Sequence, residues 1–345
     1  MSRAASARSP ESPQLGDGYI PVIDIVPYFS GFPADKLRVA EQIGRACRDI
    51  GFYIIIGHGV PEELIGTVDR NARDFFDLPL EEKMKLHTGK DTGTCGYAAM
   101  GERSLAYTRG EKCPPDLHES FQVSKLDADL NDPYFQAPIA KKLVPPNQWP
   151  EGRPQMRVVL TDYYKKMAIL ARDLLRLSAL ALDLPEAYFD DKVDRHISRL
   201  SFKLYPQQKV KPLPGQLRAG AHTDYGTVTI LRPGDTAGGL QVADANGNWH
   251  DVPVISHSFI INQGDMMARW TNDRWVSTLH RVVNPPEEAM GGNRRLSIVF
   301  FHTPNYDTLV ECLPTCRAPN HKPKYQPVSV ADYYALKRQQ QRGTV

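Results

Sequence analysis

The chain has 345 residues, of which 41% are hydrophobic, 24% charged and 9% aromatic; these ordinary globular proportions exclude collagen-like, coiled-coil and wholly disordered classes. Lys and Arg number 42 against 40 Asp and Glu, a net charge of +2, so no general electrostatic attraction to nucleic acid or to an anionic membrane is expected. No apolar run approaches the roughly 18 residues a membrane helix needs, and the length suits either two average domains or one large integrated unit.

Residues 1–18 are rich in Ser, Ala and Pro and lack the apolar core of a signal peptide, so they read as a disordered tail. Ile20 to Asp24 reads as a short strand, and Leu37, Ala40, Ile43, Cys47 and Ile50 then recur at helical spacing until Gly51. Phe52 to Ile56 suits a buried strand. Pro61 opens a second helix with Leu64, Ile65, Val68, Ala72, Phe75 and Phe76 on one face. Residues 88–150 hold many Gly and Pro without sustained periodicity, and they read as long loops over a scaffold, where binding residues often sit. One long helix is expected from Gln155 to Leu184, with Met156, Val159, Tyr163, Met167, Leu170, Leu174 and Leu177 facing inward.

From 197 to 305 short alternating segments follow one another: SFKLY, TVTIL, GLQVAD, NWHDV, SFIIN, RWVSTLHRVV and RRLSIVFFH. An Asn246-Gly247 turn and a Gly264-Asp265 turn punctuate them, a pattern that reads as an antiparallel barrel or double-sheet jelly roll. A last helix is expected near Val328–Arg342. The resulting division is a tail at 1–18, a helical and mixed region at 19–185, a jelly-roll core at 186–310 and a C-terminal segment at 311–345, with about 19–335 forming one catalytic unit. Cys47, Cys95, Cys113, Cys312 and Cys316 are scattered, with no C-x-x-C pair; a reducing, cytoplasmic setting fits them.

Three features carry chemistry. His222-Thr-Asp224 places an imidazole and a carboxylate two residues apart, which on a strand puts both on one face. Alone, the triplet reads equally well as a surface turn. His280, in STLHRVVN, shares strand parity with Val276, Thr278 and Val282, and alone it reads as a hydrogen-bonded core histidine. Together the three match a two-histidine, one-carboxylate facial triad, which leaves adjacent positions open on a non-haem Fe(II), as O2 activation requires. Arg295-Leu-Ser297 then puts a guanidinium and a hydroxyl on one strand face. A buried arginine needs an anion, and its planar fork suits a carboxylate. Tyr205, before Pro206, is placed to add a phenolic hydrogen bond or else to fill the core.

The ordered set Tyr205-Pro206, His222-x-Asp224, His280 and Arg295-x-Ser297 resembles the Fe(II)- and 2-oxoglutarate-dependent oxygenases, specifically the isopenicillin N synthase-like branch. IPVIDI, GFYIIIGHGVP, FFDLPLEEKMKL, GYAAMGERS and PPDLHESFQV extend the similarity over about residues 19–335. The resemblance implies an α+β, mainly β fold, a distorted double-stranded β-helix (jelly roll) flanked by helices. It implies Fe(II) on His222, Asp224 and His280, with Arg295 and Ser297 on the distal carboxylate of 2-oxoglutarate and Tyr205 nearby. It also implies O2 as cosubstrate, ascorbate as auxiliary reductant, and oxidation of a small metabolite by hydroxylation, desaturation or ring closure with release of succinate and CO2, in specialised metabolism. Phe301 shares parity with Arg295 and Ser297 and is expected to face the substrate; Tyr97 and Phe121 lie where related enzymes place substrate-side residues.

The sequence departs from the family pattern in two places. PPEEAMGGN lengthens the interval from His280 to Arg295, so choosing Arg295 over Arg294 rests on the R-x-S spacing. Lys203 stands where plant relatives commonly have Asn, and a cation there would bind a substrate carboxylate, brace the cosubstrate or snorkel to the barrel mouth. Two further readings stay open: a 2-oxoglutarate-independent Fe(II) oxidase of the isopenicillin N synthase type, and a non-catalytic jelly-roll binding protein. The expected partner is a small molecule, with no nucleic acid and no membrane, for a monomer or weak homo-oligomer.

Overall fold

The computed structural model describes residues 18–87, 95–102, 105, 114–208, 210–234, 238–286, 294–317 and 322–341; Cys113, most of PPEEAMGGN and the expected tail except Gly18 lie outside them. Fourteen strands are described, β1 to β14, of which twelve build two sheets. The larger has eight strands in the order β1 (Val22–Asp24), β2 (Phe52–Ile56), β10 (Phe259–Gln263), β7 (Val228–Arg232), β12 (Arg295–Phe301), β5 (Arg199–Tyr205), β4 (Glu119–Val123) and β3 (Gly96–Ala98). The smaller has the order β6 (Ala219–His222), β11 (His280–Val282), β8 (Leu240–Ala243) and β9 (Trp249–Asp251). β13 (Leu309–Val310) and β14 (Val328–Ser329) pair separately. β2 pairs with β10 and β4 with β5, so strands from both sides of residue 185 share one sheet.

Period two divides the large sheet into two faces. On β12, Leu296, Ile298 and Phe300 join the main hydrophobic core, while Arg295, Ser297, Val299 and Phe301 line a cavity on the other side. The same alternation sends Leu200, Phe202 and Leu204 of β5 to the core and Lys203 and Tyr205 to the cavity. On β10, Phe259 and Ile261 face the core, whereas Asn262 faces the cavity.

The core face is covered by the helix Pro154–Ala181, which starts with proline at its first position and buries all seven residues expected to face inward. Burial of each large apolar side chain here contributes about 1.5–3 kcal/mol. The helix ends three residues before the expected Leu184, because Asp183 takes a left-handed conformation (φ 58°) that breaks the turn.

Three other expectations are corrected. Residues 88–150 are not simply loops: β3, β4 and short helices at Pro133–Gln136 and Pro138–Leu143 lie there, too short for their periodicity to stand out. Gly264-Asp265 does not turn between strands but opens a helix, Asp265–Trp270. A Cβ on Gly264 would lie 2.2 Å from the Gly226 carbonyl oxygen, so glycine allows this helix to press against the segment after Asp224. Finally, only His280–Val282 of RWVSTLHRVV is strand, because left-handed Asn272 and Asp273 redirect the chain and Val276 then donates its N–H to Cys47 at the end of the first helix, Pro33–Asp49. The Asn246-Gly247 hairpin between β8 and β9 forms as expected, with Gly247 at φ 85°. No helix among the described residues is long and apolar enough to cross a membrane.

Candidate active site

The cavity between the two sheets opens to solvent and is lined by β5, β7, β10 and β12 on one side and β6, β8 and β11 on the other. His222 closes β6 and pairs directly with His280, the first residue of β11. Asp224 lies two residues past the end of β6, so its placement depends on the turn and not on strand parity alone. His222 Nε2 and His280 Nε2 each lie 3.9 Å from Asp224 Oδ1, and all three residues are buried. Their potential ligand atoms fall within 4.8 Å of one another, a spacing one metal ion can bridge.

Each donor atom is aimed by a second contact. His222 Nδ1 meets the Gly220 carbonyl at 2.8 Å and His280 Nδ1 meets that of Thr278 at 3.0 Å. A carbonyl only accepts, so both Nδ1 atoms carry the proton and both Nε2 lone pairs turn inward. Burial, then the neighbouring His280 and Lys203, push His222 down to about 3 against the pull of Asp224, so its imidazole is neutral and free to ligate. For Asp224, burial works to raise the pKa, but His280, His222, Asn262 and Thr229 together hold it below the usual carboxylate range. Thr229 Oγ1 and Asn262 Nδ2 both donate to Oδ2, at 2.6 and 2.7 Å, which leaves Oδ1 for a cation. Phe52 packs edge-on to His280 with ring centroids 5.3 Å apart.

The other end of the cavity carries a buried guanidinium. Arg295 is 2% exposed, and its Nε and Nη1 have no hydrogen-bond partner among the described residues. Its guanidinium sits 5.4 Å from the Tyr205 ring centroid, which Arg218 approaches to 5.9 Å. Burial lowers the Arg295 pKa, with Tyr205 acting against it; an arginine nonetheless keeps its charge. For Tyr205 burial pushes the pKa up to about 12, so its hydroxyl remains a donor. Ser297 is buried beside Arg295 and pairs across the strands with Lys203, while Arg295 pairs with Tyr205. Arg294 points elsewhere, to Asp77 at 2.6 Å.

Of the expected substrate-side residues, Phe301 and Lys203 line the cavity, with Lys203 Nζ 5.7 Å from the Phe301 ring centroid. Phe121 and Tyr97 do not. Phe121 pairs with core-facing Phe202 and Tyr97 pairs with Phe121, so both project to the helix side of the sheet. There they pack on Phe75, with ring centroids 4.5 and 6.1 Å away, and the Tyr97 hydroxyl donates to Glu119. Sequence reasoning did not pick out Thr229 and Asn262; the available signal was a polar side chain at an inward position of an otherwise apolar strand.

Comparison with known proteins agrees with this chemistry. Residues 195–304 match the 2OG-Fe(II) oxygenase superfamily, and residues 20–152 match the N-terminal region described as non-haem dioxygenase in morphine synthesis. The chain is 35% identical over 318 residues to the 2-oxoglutarate-Fe(II) type oxidoreductase hxnY of Emericella nidulans, covering 90% of this chain and 87% of the relative. It is 33% identical over 310 residues to the homoarginine-6-hydroxylase 2-ODD-C23 of Glycine max, covering 86% and 88%. A full-length Neurospora crassa protein, solved in complex with alpha-KG and thymine, superposes with a TM-score of 0.81 at 28% identity, covering 94% of this chain and 97% of that one. The chain therefore belongs to the Fe(II)- and 2-oxoglutarate-dependent oxygenases, and it is a dioxygenase that uses Fe(II) and 2-oxoglutarate to act on small molecules.

Proposed function

We propose that the chain hydroxylates a C–H bond of a small metabolite inside a double-stranded β-helix, with His222, Asp224 and His280 holding the iron and Arg295, Ser297 and Tyr205 holding the distal carboxylate of 2-oxoglutarate. The observation that carries this reading is the pairing, in one cavity, of a buried metal-ligand cluster with a buried arginine whose Nε and Nη1 await an acceptor. A buried guanidinium without an anion is costly, and a carboxylate accepting two parallel hydrogen bonds removes that cost. Two imidazoles and one carboxylate suit Fe(II) and leave coordination positions for cosubstrate and O2. Bound together, iron, 2-oxoglutarate and O2 supply the oxidation, in which R–H, 2-oxoglutarate and O2 give R–OH, succinate and CO2. The protein's part is to aim the donor atoms, hold the far carboxylate and keep water from the reacting carbon with Phe301, Val299 and Leu231.

Hydroxylation is favoured over desaturation and ring closure by the relatives named homoarginine-6-hydroxylase. Lys203 and Phe301 form the substrate-side wall, where a cation beside an aromatic face suits a substrate carrying both an anionic and an apolar part.

The test is anaerobic addition of Fe(II) and 2-oxoglutarate, which is expected to produce a visible charge-transfer band that His222→Ala, Asp224→Ala and His280→Ala each abolish while leaving a folded protein. A variant of any of the three that kept stoichiometric iron and near wild-type succinate release would refute the ligand set.

A further inference from the structure

The C-terminal helix, Val330–Gln341, packs against Tyr225, the residue after Asp224. Tyr334 meets Tyr225 edge-on at 6.1 Å and shares a hydrogen bond with Thr303 Oγ1 at 2.8 Å, while Lys337 Nζ sits 5.1 Å from the Tyr225 ring centroid. Between this helix and the metal ligands stands Asp265. Its backbone N–H donates to the Asp224 carbonyl at 2.7 Å. Its Oδ1 accepts from Ser277 Oγ at 2.7 Å, three residues before His280. Its Oδ2 accepts from the Tyr333 hydroxyl at 2.7 Å and pairs with Lys337 Nζ at 2.8 Å.

All three bonds of this carboxylate leave its own helix, so a local cap does not account for them. Packing surrounds it on one side only, because Asp265 also lines a cleft open to solvent together with Thr223, Ser277, Tyr333 and Lys337. Where packing is incomplete, polar links decide where a group rests. One residue thus joins the segment bearing Asp224, the segment leading to His280 and the C-terminal helix.

We propose that Asp265 is a positioning residue for the iron centre, coupling the C-terminal helix to the segments that bear Asp224 and His280. This rests on the ligand set given above. Outer contacts that orient ligands typically change metal affinity by about 10- to 100-fold when removed.

The experiment uses the full chain, stripped of metal and titrated anaerobically with Co(II), following the d–d absorption bands and the Kd, with Tm measured in parallel. Asp265→Asn keeps the size and removes the charge; it is expected to weaken Co(II) binding by about 10- to 100-fold and to shift the bands. Lys337→Met and Tyr333→Phe should act in the same direction at the low end, about 10-fold, with Lys337→Arg restoring affinity. Should Asp265→Asn fail to fold, the two milder variants decide: Co(II) affinity within about twofold of wild type and unchanged bands in both, with any effect confined to Tm, would overturn the proposal. A wild-type chain that took up no Co(II) would refute the ligand set itself, and a wild type that binds with variants that bind equally would refute only the role of Asp265.

Discussion

Replacing Arg295 with Met separates the two halves of the anion site. In the wild type the guanidinium is 2% exposed and offers Nε and Nη1 without a partner among the described residues. Losing a charge-assisted fork in such a desolvated site costs about 2–5 kcal/mol, which raises the 2-oxoglutarate concentration needed by roughly 30-fold to several-thousand-fold. Without cosubstrate the sign reverses: an uncompensated buried charge is destabilising, so the cosubstrate-free Met variant should be as stable as the wild type or more so. Thermal unfolding with and without 2-oxoglutarate reads both effects. At 100 times its Kd the cosubstrate should stabilise the wild type by about 2.7 kcal/mol, and at that same concentration the variant should keep about 0.9 kcal/mol if binding is roughly 30-fold weaker and almost nothing if it is several-thousand-fold weaker. Arg294→Ala is the control, because its ion pair with Asp77 joins side chains 35% and 58% exposed and is worth about 0–1 kcal/mol. Retention of the 2-oxoglutarate-dependent shift in Arg295→Met, or its loss in Arg294→Ala, would show that the anion is held elsewhere.

Asn262→Ala removes the 2.7 Å donor to Asp224 Oδ2 and should weaken iron binding by about 10- to 100-fold, measured by equilibrium dialysis; unchanged affinity would make Asn262 a core filler only. Phe301→Ala should uncouple the reaction, so that succinate continues to form while product falls; equal coupling and KM would place Phe301 outside the substrate path. In metal-free protein the folded pKa of His222, about 3, lies below the unfolded value near 6.5, so its contribution to stability is present above pH 6.5 and is lost as pH falls toward 3. His222→Gln should therefore flatten the dependence of unfolding free energy on pH by about 1.4 kcal/mol per unit near pH 5, and identical slopes would contradict a buried neutral imidazole.

The part of the site that lies on regular strands was legible before any coordinates. Tyr205, Arg295, Ser297 and Phe301 obey one parity across the β5–β12 pair, and the R-x-S spacing already separated Arg295 from Arg294. Tyr97 and Phe121 were misplaced because their short strands, three and five residues long, sit among Gly and Pro, where no periodicity reveals which way a side chain points. The direction of Phe121 comes from the pairing of β4 with β5, a contact made across a long separation in the chain, and that of Tyr97 from the pairing of β3 with β4. Asp224 shows the converse. The H-x-D triplet was read from strand parity, yet β6 ends at His222, and the carboxylate is turned inward by Thr229, Asn262 and the Asp265 N–H. The helix at Asp265–Trp270 was hidden for a similar reason: its opening glycine looks like a turn, and only the close approach to Gly226 explains it.

The two sheets divide the chemistry in a way that follows from their architecture. The small sheet and the turn after it carry the proposed metal ligands, whose aim depends on a few hydrogen bonds to Gly220, Thr278, Thr229 and Asn262. The large sheet carries the residues proposed for the anion and the substrate on two long paired strands, each backed by a continuous apolar core face. Seven consecutive cross-strand pairs between β5 and β12 fix the order Arg295, Ser297, Val299, Phe301 along the cavity, so under the proposed assignment cosubstrate and substrate would be ranked along one rigid ruler. A substitution on the core face of that ruler, such as at Ile298 or Phe202, would have to shift the whole strand to alter one contact, whereas a substitution behind the metal turn can move one ligand alone. Metal affinity is thus the property most open to tuning from a distance, and the spacing between the far carboxylate and the oxidised carbon is the property the fold holds most firmly.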